Sequence, residues 1–200
     1  MPTMPENSAA QKTATFGQTP SQTVGPFFAY ALPYDGGTEV VPPHSPGSIR
    51  LHGVVSDGAG VPVPDAIVEI WQPDASGRIV AERGSLARDG YTFTGFGRAS
   101  VDGWGQFSFS TVKPGSVRAG TAPYVLVTVF ARGLLNHLTT RAYFGDETEA
   151  NAADGFLAGV EEARRGTLVA TPDAPGSYRF DIRLQGEGET VFLAFPGDRG

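Results

Sequence analysis

The sequence predicts a mostly-β fold: a β-sandwich with Gly/Pro-rich loops and a short helical excursion. Three observations predict it. The 200 residues include 27 Gly and 16 Pro, too much turn chemistry for a helical protein. Hydrophobic residues still make up 40% of the chain, enough for a core. The apolar segments are short, and some alternate with polar residues at the period of a strand. They number about eight or nine, the count of a sandwich.

The elements follow in chain order. Residues 1–18 are small and polar, and are expected to be flexible, with one domain over 19–200. Residues 19–28, TPSQTVGPFF, carry two Pro, one Gly and two adjacent Phe, a composition that does not form a helix. Two exposed Phe are unfavourable, so this arm is expected to lie down on a surface. Residues 31–48 read as loop. Residues 49–55 form a strand, Asp57-Gly58 turns it, and 66–71 return. After a turn at 74–77, residues 79–81 are short and extended, and 85–97 irregular. Residues 106–112 and 124–130 are strands joined through Lys113-Pro114-Gly115, and 139–144 are another. Asp146-Glu147-Thr148-Glu149 has capping-box spacing, which predicts a helix from about 147, with further turns over 156–164. Residues 167–170 are extended. Residues 178–184 alternate Phe180, Ile182 and Leu184 with Arg179, Asp181 and Arg183, a strand with one wet face. Gly186 and Gly188 then turn it into a hairpin closed by 190–195.

Charge and composition exclude several functions. The net charge is −6, and the 15 Lys and Arg are scattered without a basic run, which argues against nucleic acid and anionic membranes. An anionic substrate would need a locally placed Arg. The absence of Cys excludes disulfides, thiolate metal sites and a Cys nucleophile, and fits a reducing cytoplasm, the expected location. Residues 1–18 lack the basic start and apolar run of a signal peptide. No segment has the length of a membrane span.

Chemistry-bearing residues are sparse. His44, His52 and His137 fall at neither HxH nor HExxH spacing, and none is followed two residues later by an acid. Each reads as a surface or loop histidine. On the strand 124–130, Tyr124 and Leu126 share one face and Val125, Val127 and Val129 the other. Apolar groups on both faces predict core. Gly186-Glu187-Gly188-Glu189 lacks a third Gly and carries two carboxylates, so it is no phosphate cradle. No Ser sits in a GxSxG setting, and Glu161-Glu162 and Glu187/Glu189 read as solvated. Arg132 follows a buried strand between the small residues Ala131 and Gly133. It can offer charge-assisted hydrogen bonds to a carboxylate. Taken alone, it reads more simply as an Arg closing a strand end.

Lys113-Pro114-Gly115, the strand after it and Ala131-Arg132-Gly133 together resemble the core of the intradiol ring-cleavage dioxygenases. TPSQTVGPF, WQPDASG at 71–77, STVKPG and RFDIRLQGEGETVF at 179–192 sit in family-like order, so the resemblance spans residues 19–195. In catalytic members the stretch after the KPG turn carries Tyr and His ligands to a non-haem ferric iron. The matching positions here read Val117, Tyr124 and Leu126. A further ligand Tyr lies upstream of the element that here reads Gly95-Phe96-Gly97-Arg98. The matching region, Gly84 to Ala87, has none, and Tyr91 is the nearest substitute. The resemblance therefore implies a chain with no metal ligands or catalytic residues of its own. In a heteromeric member, a homologous β chain would hold Fe3+ through two Tyr and two His and act on a carboxylated catechol with O2. Thr23, Gly25, Pro26 and Phe27 of the arm, with Arg132, would line the partner's substrate pocket. Some relatives carry Tyr at the position of Phe27, which keeps the shape but loses the phenol. Two other classes remain: a metal-free β-sandwich scaffold, which the retained arm argues against, and an independent hydrolase, which the scattered histidines argue against.

Overall fold

The alternation in the sequence becomes burial in three dimensions. The computed structural model describes residues 19–81 and 88–195; residues 1–18 and the Gly84–Ala87 region discussed above lie outside them. In β1 (Ser48–Ser56) Leu51 and Val55 are buried, and in β4 (Gln106–Val112) Phe107 and Phe109 are. The two strands pair antiparallel, with Leu51 opposite Phe109. A second group is built from β2 (Ile67–Trp71), β3 (Phe96–Ser100), β5 (Tyr124–Phe130) and β6 (Leu138–Phe144). With β7 (Val169–Ala174) and β8 (Ser177–Arg179) the strand order is β3-β2-β5-β6-β7-β8-β1-β4, and β9 (Ile182–Arg183) adds beside β1.

Strand β7 joins the two halves of the sandwich. Its start pairs parallel with β6, and its continuation pairs antiparallel with β8 through an irregularity at Pro172–Ala174. The path therefore folds back on itself. Val68, Ile70, Val125, Val127 and Val129 of one half share a core with Leu51, Val55, Phe107 and Phe109 of the other. Each such side chain contributes roughly 1.5–3 kcal/mol on full burial. Gly53 makes the β1 edge fit: a Cβ there would lie 1.9 Å from the Phe180 carbonyl oxygen.

Several local expectations are corrected. Residues 178–184 do alternate, but they do not form a hairpin with 190–195. β8 and β9 both pair parallel with β1, and Phe180 N donates to His52 O between them. Thr190 N donates to Arg183 O and Arg183 N to Thr190 Oγ1, which closes the loop, and Leu193 N then turns to Thr139 O beside β6. The free edge of β1 outcompetes the local partner. Residues 96–100, at the end of the irregular stretch, are strand β3, held on β2 by the cross-strand ion pair of Arg98 with Glu69 at 2.7 Å. Residues 79–81 pair with no strand.

Three short helices follow β6: α2 (Thr148–Ala153), α3 (Gly155–Gly159) and α4 (Glu162–Arg165). α2 starts where expected, but no side chain caps it. Asp146, the expected cap, is used elsewhere: it and Glu147 both accept from Lys113 Nζ, at 2.7 and 2.8 Å. The true cap is Asp154, which accepts from the N–H groups of Phe156 and Leu157 at the start of α3. A small second core of Ala122, Tyr143, Leu157 and Leu168 lies beneath these helices.

Candidate functional site

The outer face of β5 carries two features, one at each end. At the start of the strand lies a cleft of about 950 Å³. Its floor follows from strand register. Trp71 of β2 pairs with Leu126 of β5, and Leu126 pairs with Arg141 of β6, so the three form one row across three strands. Val117, Tyr124 and Leu126, the positions matched to family iron ligands, all line this cleft. The outer face of β5 is therefore not core, contrary to the expectation from its apolar residues. Leu126 is half-buried and forms the floor of a hollow.

The donor set in the cleft does not fit ferric iron. Val117 and Leu126 have no donor atoms. The Arg141 guanidinium lies 4.4 Å from the ring centroids of both Tyr124 and Phe156, so a cation stands beside the one phenol at a ligand position. Gln72 is committed: its Oε1 accepts from Thr111 Oγ1 and its Nε2 donates to Val112 O. Asp154 is buried and accepts from the N–H groups of Ala122, Phe156 and Leu157. Tyr143 Oη accepts from Arg141 at 3.1 Å and donates toward Asp154 at 3.4 Å. Burial pushes the Tyr143 phenol up to about 12, against the opposing pull of Arg141, so it stays neutral. The histidines are engaged or distant from this set: His52 pairs with Asp173 at 2.9 Å, His137 packs on Phe130, and His44 is exposed. Tyr91 is 96% exposed and does not line the cleft.

At the other end of β5, roughly 20 Å away by strand rise, the arm meets the turn after the strand. Thr23 Oγ1 accepts from Gly133 N at 2.8 Å. The Phe28 ring packs 5.4 Å from that of Phe130. The arm itself is not helical, but one helical turn, α1 (Phe28–Ala31), begins where it ends. The two phenylalanines part company: Phe28 covers the sheet, and Phe27 remains 78% exposed, beside exposed Gly25 and Pro26. Arg132 is more than half exposed, and its Nε donates to Asp65. The structure thus brings Thr23 and the Arg132-Gly133 turn together, and leaves Gly25, Pro26 and Phe27 facing solvent.

Sequence reasoning missed Trp71, Arg141 and Phe156 of the cleft and Asp65 beside Arg132. Arg141 is a lone charge inside the otherwise uncharged strand β6, which was the available signal. Asp65 offered none, since it lies 67 residues from Arg132.

Comparison with known proteins gives a consistent result. A family model described as Dioxygenase matches residues 25–186. The protocatechuate 3,4-dioxygenase alpha chain of Burkholderia cepacia is 47% identical over 195 residues, covering 90% of this chain and 98% of that one. The beta chain from the same organism is 32% identical over 158 residues, covering 71% of this chain and 66% of its own length. Among solved structures, the dioxygenase domain of a dioxygenase and carbohydrate-binding protein fusion from Streptomyces sp. SirexAA-E superposes with a TM-score of 0.56 at 27% identity. It covers 85% of this chain and 99% of that one. The chain belongs to the intradiol ring-cleavage dioxygenase family.

Proposed function

We propose that this chain is the iron-free α subunit of a heteromeric protocatechuate 3,4-dioxygenase. A homologous β chain, the obligate partner, carries the Fe3+. The assembled enzyme takes protocatechuate and O2 to 3-carboxy-cis,cis-muconate, opening the ring between the two hydroxyl-bearing carbons. This assigns it to cytoplasmic aromatic catabolism through the β-ketoadipate pathway.

The observation that carries the reading is a contrast within one chain. The positions matched to iron ligands hold Val117 and Leu126, while the arm is held against the Arg132-Gly133 turn by the Thr23 bond and presents Gly25, Pro26 and Phe27 outward. In the complex these residues form a wall of the partner's pocket. Pro26 and Phe27 exclude water and Thr23 fixes the arm. Arg132, oriented by Asp65, offers its remaining N–H groups to the substrate carboxylate.

The Arg132–Asp65 pair favours a second reading, in which Arg132 only ties β5 to the loop before β2. Arg132→Ala separates the two. A charge-assisted hydrogen bond at a partly buried site is worth about 1.5–3 kcal/mol, roughly ten- to a hundredfold in kcat/KM. The complex should lose that factor for protocatechuate and much less for catechol, which lacks the carboxylate. An unchanged ratio of the two specificity constants would leave Arg132 only its tie to Asp65.

A further inference from the structure

We propose that the cleft over β5 binds a small aromatic carboxylate without a metal, with Arg141 as the carboxylate anchor. The inference concerns this chain's own cleft and does not rest on the heteromeric reading.

The first observation is an unbalanced cation. Arg141 forms no ion pair among the described residues. Its one hydrogen bond goes to the neutral Tyr143 hydroxyl, and its Nε is shielded from solvent with no acceptor. Half-buried charges are ordinarily paired, because taking them from water is unfavourable. Asp154, reached through Tyr143, does not fill that role, because its oxygens are occupied by three backbone N–H groups. An anion from solution would.

The second observation is the shape of the floor. Trp71, Leu126 and Arg141 stand in one row on three adjacent strands. Strand spacing puts the Trp71 and Arg141 backbones roughly 9–10 Å apart, the span of one aromatic ring with a carboxylate at its end. A ring lying on Leu126 has Trp71 at one edge and the guanidinium at the other. Trp71 is 45% exposed, an apolar group without cover in this cleft. The second cation, Arg118, lines the same cleft and has no side-chain partner among the described residues. The aromatic walls disfavour a small aliphatic acid. A volume near the upper end for small-molecule sites leaves room for ring substituents.

Trp71 and Trp104 are the two tryptophans of the chain, and only Trp71 lines the cleft. The full chain labelled with 5-fluorotryptophan, alone or assembled with an unlabelled partner, therefore reports the cleft directly by 19F resonance. 4-Hydroxybenzoate should shift the Trp71 signal saturably and leave that of Trp104 in place. 4-Hydroxybenzamide, isosteric but uncharged, should need about tenfold more ligand or beyond. Arg141→Met keeps an apolar stem and should abolish the acid's advantage. No saturable Trp71 shift, equal binding of acid and amide, or an acid preference that survives Arg141→Met would each overturn the proposal. The acid–amide comparison is made on the unaltered chain, so it decides even where the variant fails to fold.

Discussion

The two ends of the β5 outer face solve opposite problems. The Leu126 end is hollow and inward-looking. Val117 and Leu126 line it with apolar groups, and Arg141 stands beside the Tyr124 phenol. The Phe130 end is covered and outward-looking. Phe28 seals the sheet and Phe27 is left in solvent. The same strand face thus carries an open hollow without a donor set for ferric iron at one end and an arm anchored over it at the other. Fold alone does not fix activity.

Removing the arm is the harshest test of that contrast. Deletion of residues 19–27 should lower kcat/KM of the assembled enzyme about a hundredfold, because a misplaced pocket wall disorganises substrate. Steady-state kinetics on purified complex of matched iron content measures it. If the arm only covers its own sheet, stability will fall while the activity of the surviving complex stays the same. The Arg132→Ala substrate ratio follows in size and sharpens the same end of the strand.

At the cleft end the expected effects are structural. Tyr143→Phe leaves Arg141 without its acceptor and removes a donor from Asp154. It should destabilise the protein by about 1–3 kcal/mol, read as a lower unfolding midpoint. An unchanged midpoint would mean that the network does not support the cleft. The smallest effect concerns pH. Burial pushes Asp146 up, but Lys113 and Tyr178 outweigh it and hold its carboxyl below the ordinary range. Burial also works against charged Lys113, yet Asp146 and Glu147 win and raise it. The Asp146 contribution is therefore complete above the ordinary carboxylate pKa and is lost as pH falls through the depressed value. The Lys113 contribution is lost only in strong alkali, above its raised value. Stability should thus fall at acid pH, and Asp146→Asn should flatten that fall. The group is partly exposed, so the change should stay below about 1 kcal/mol. Unfolding midpoints from about pH 2 to 7 would show it, and an identical acid slope in the variant would dismiss the Lys113 cluster as its source.

Much of the sandwich was legible because local pattern and global fold agree. β1 and β4 alternate with period two, and each buries the face its sequence marks, whereas β5 alternates in burial but not in polarity. β3 was hidden because Gly97, Arg98 and Ser100 carry little strand preference. Its place is set by contact with β2, and Glu69 neutralises Arg98 there. The false hairpin at 178–195 arose from a local turn signal overridden by the open edge of β1. At the site, Thr23 accepts from the Gly133 N–H, next to Arg132. The cleft was not legible, since Trp71, Leu126 and Arg141 lie far apart in sequence and meet only through strand register. A Leu between valines carries no mark of whether its face meets core or hollow.

The most direct test of the central claim is iron content with visible absorption, measured on this chain alone and on its complex with a β-type partner. The chain alone should hold no stoichiometric iron and show no tyrosinate-to-iron colour, and the complex should hold one iron per α–β pair with that colour. An iron-loaded, coloured protein from this chain alone would contradict it.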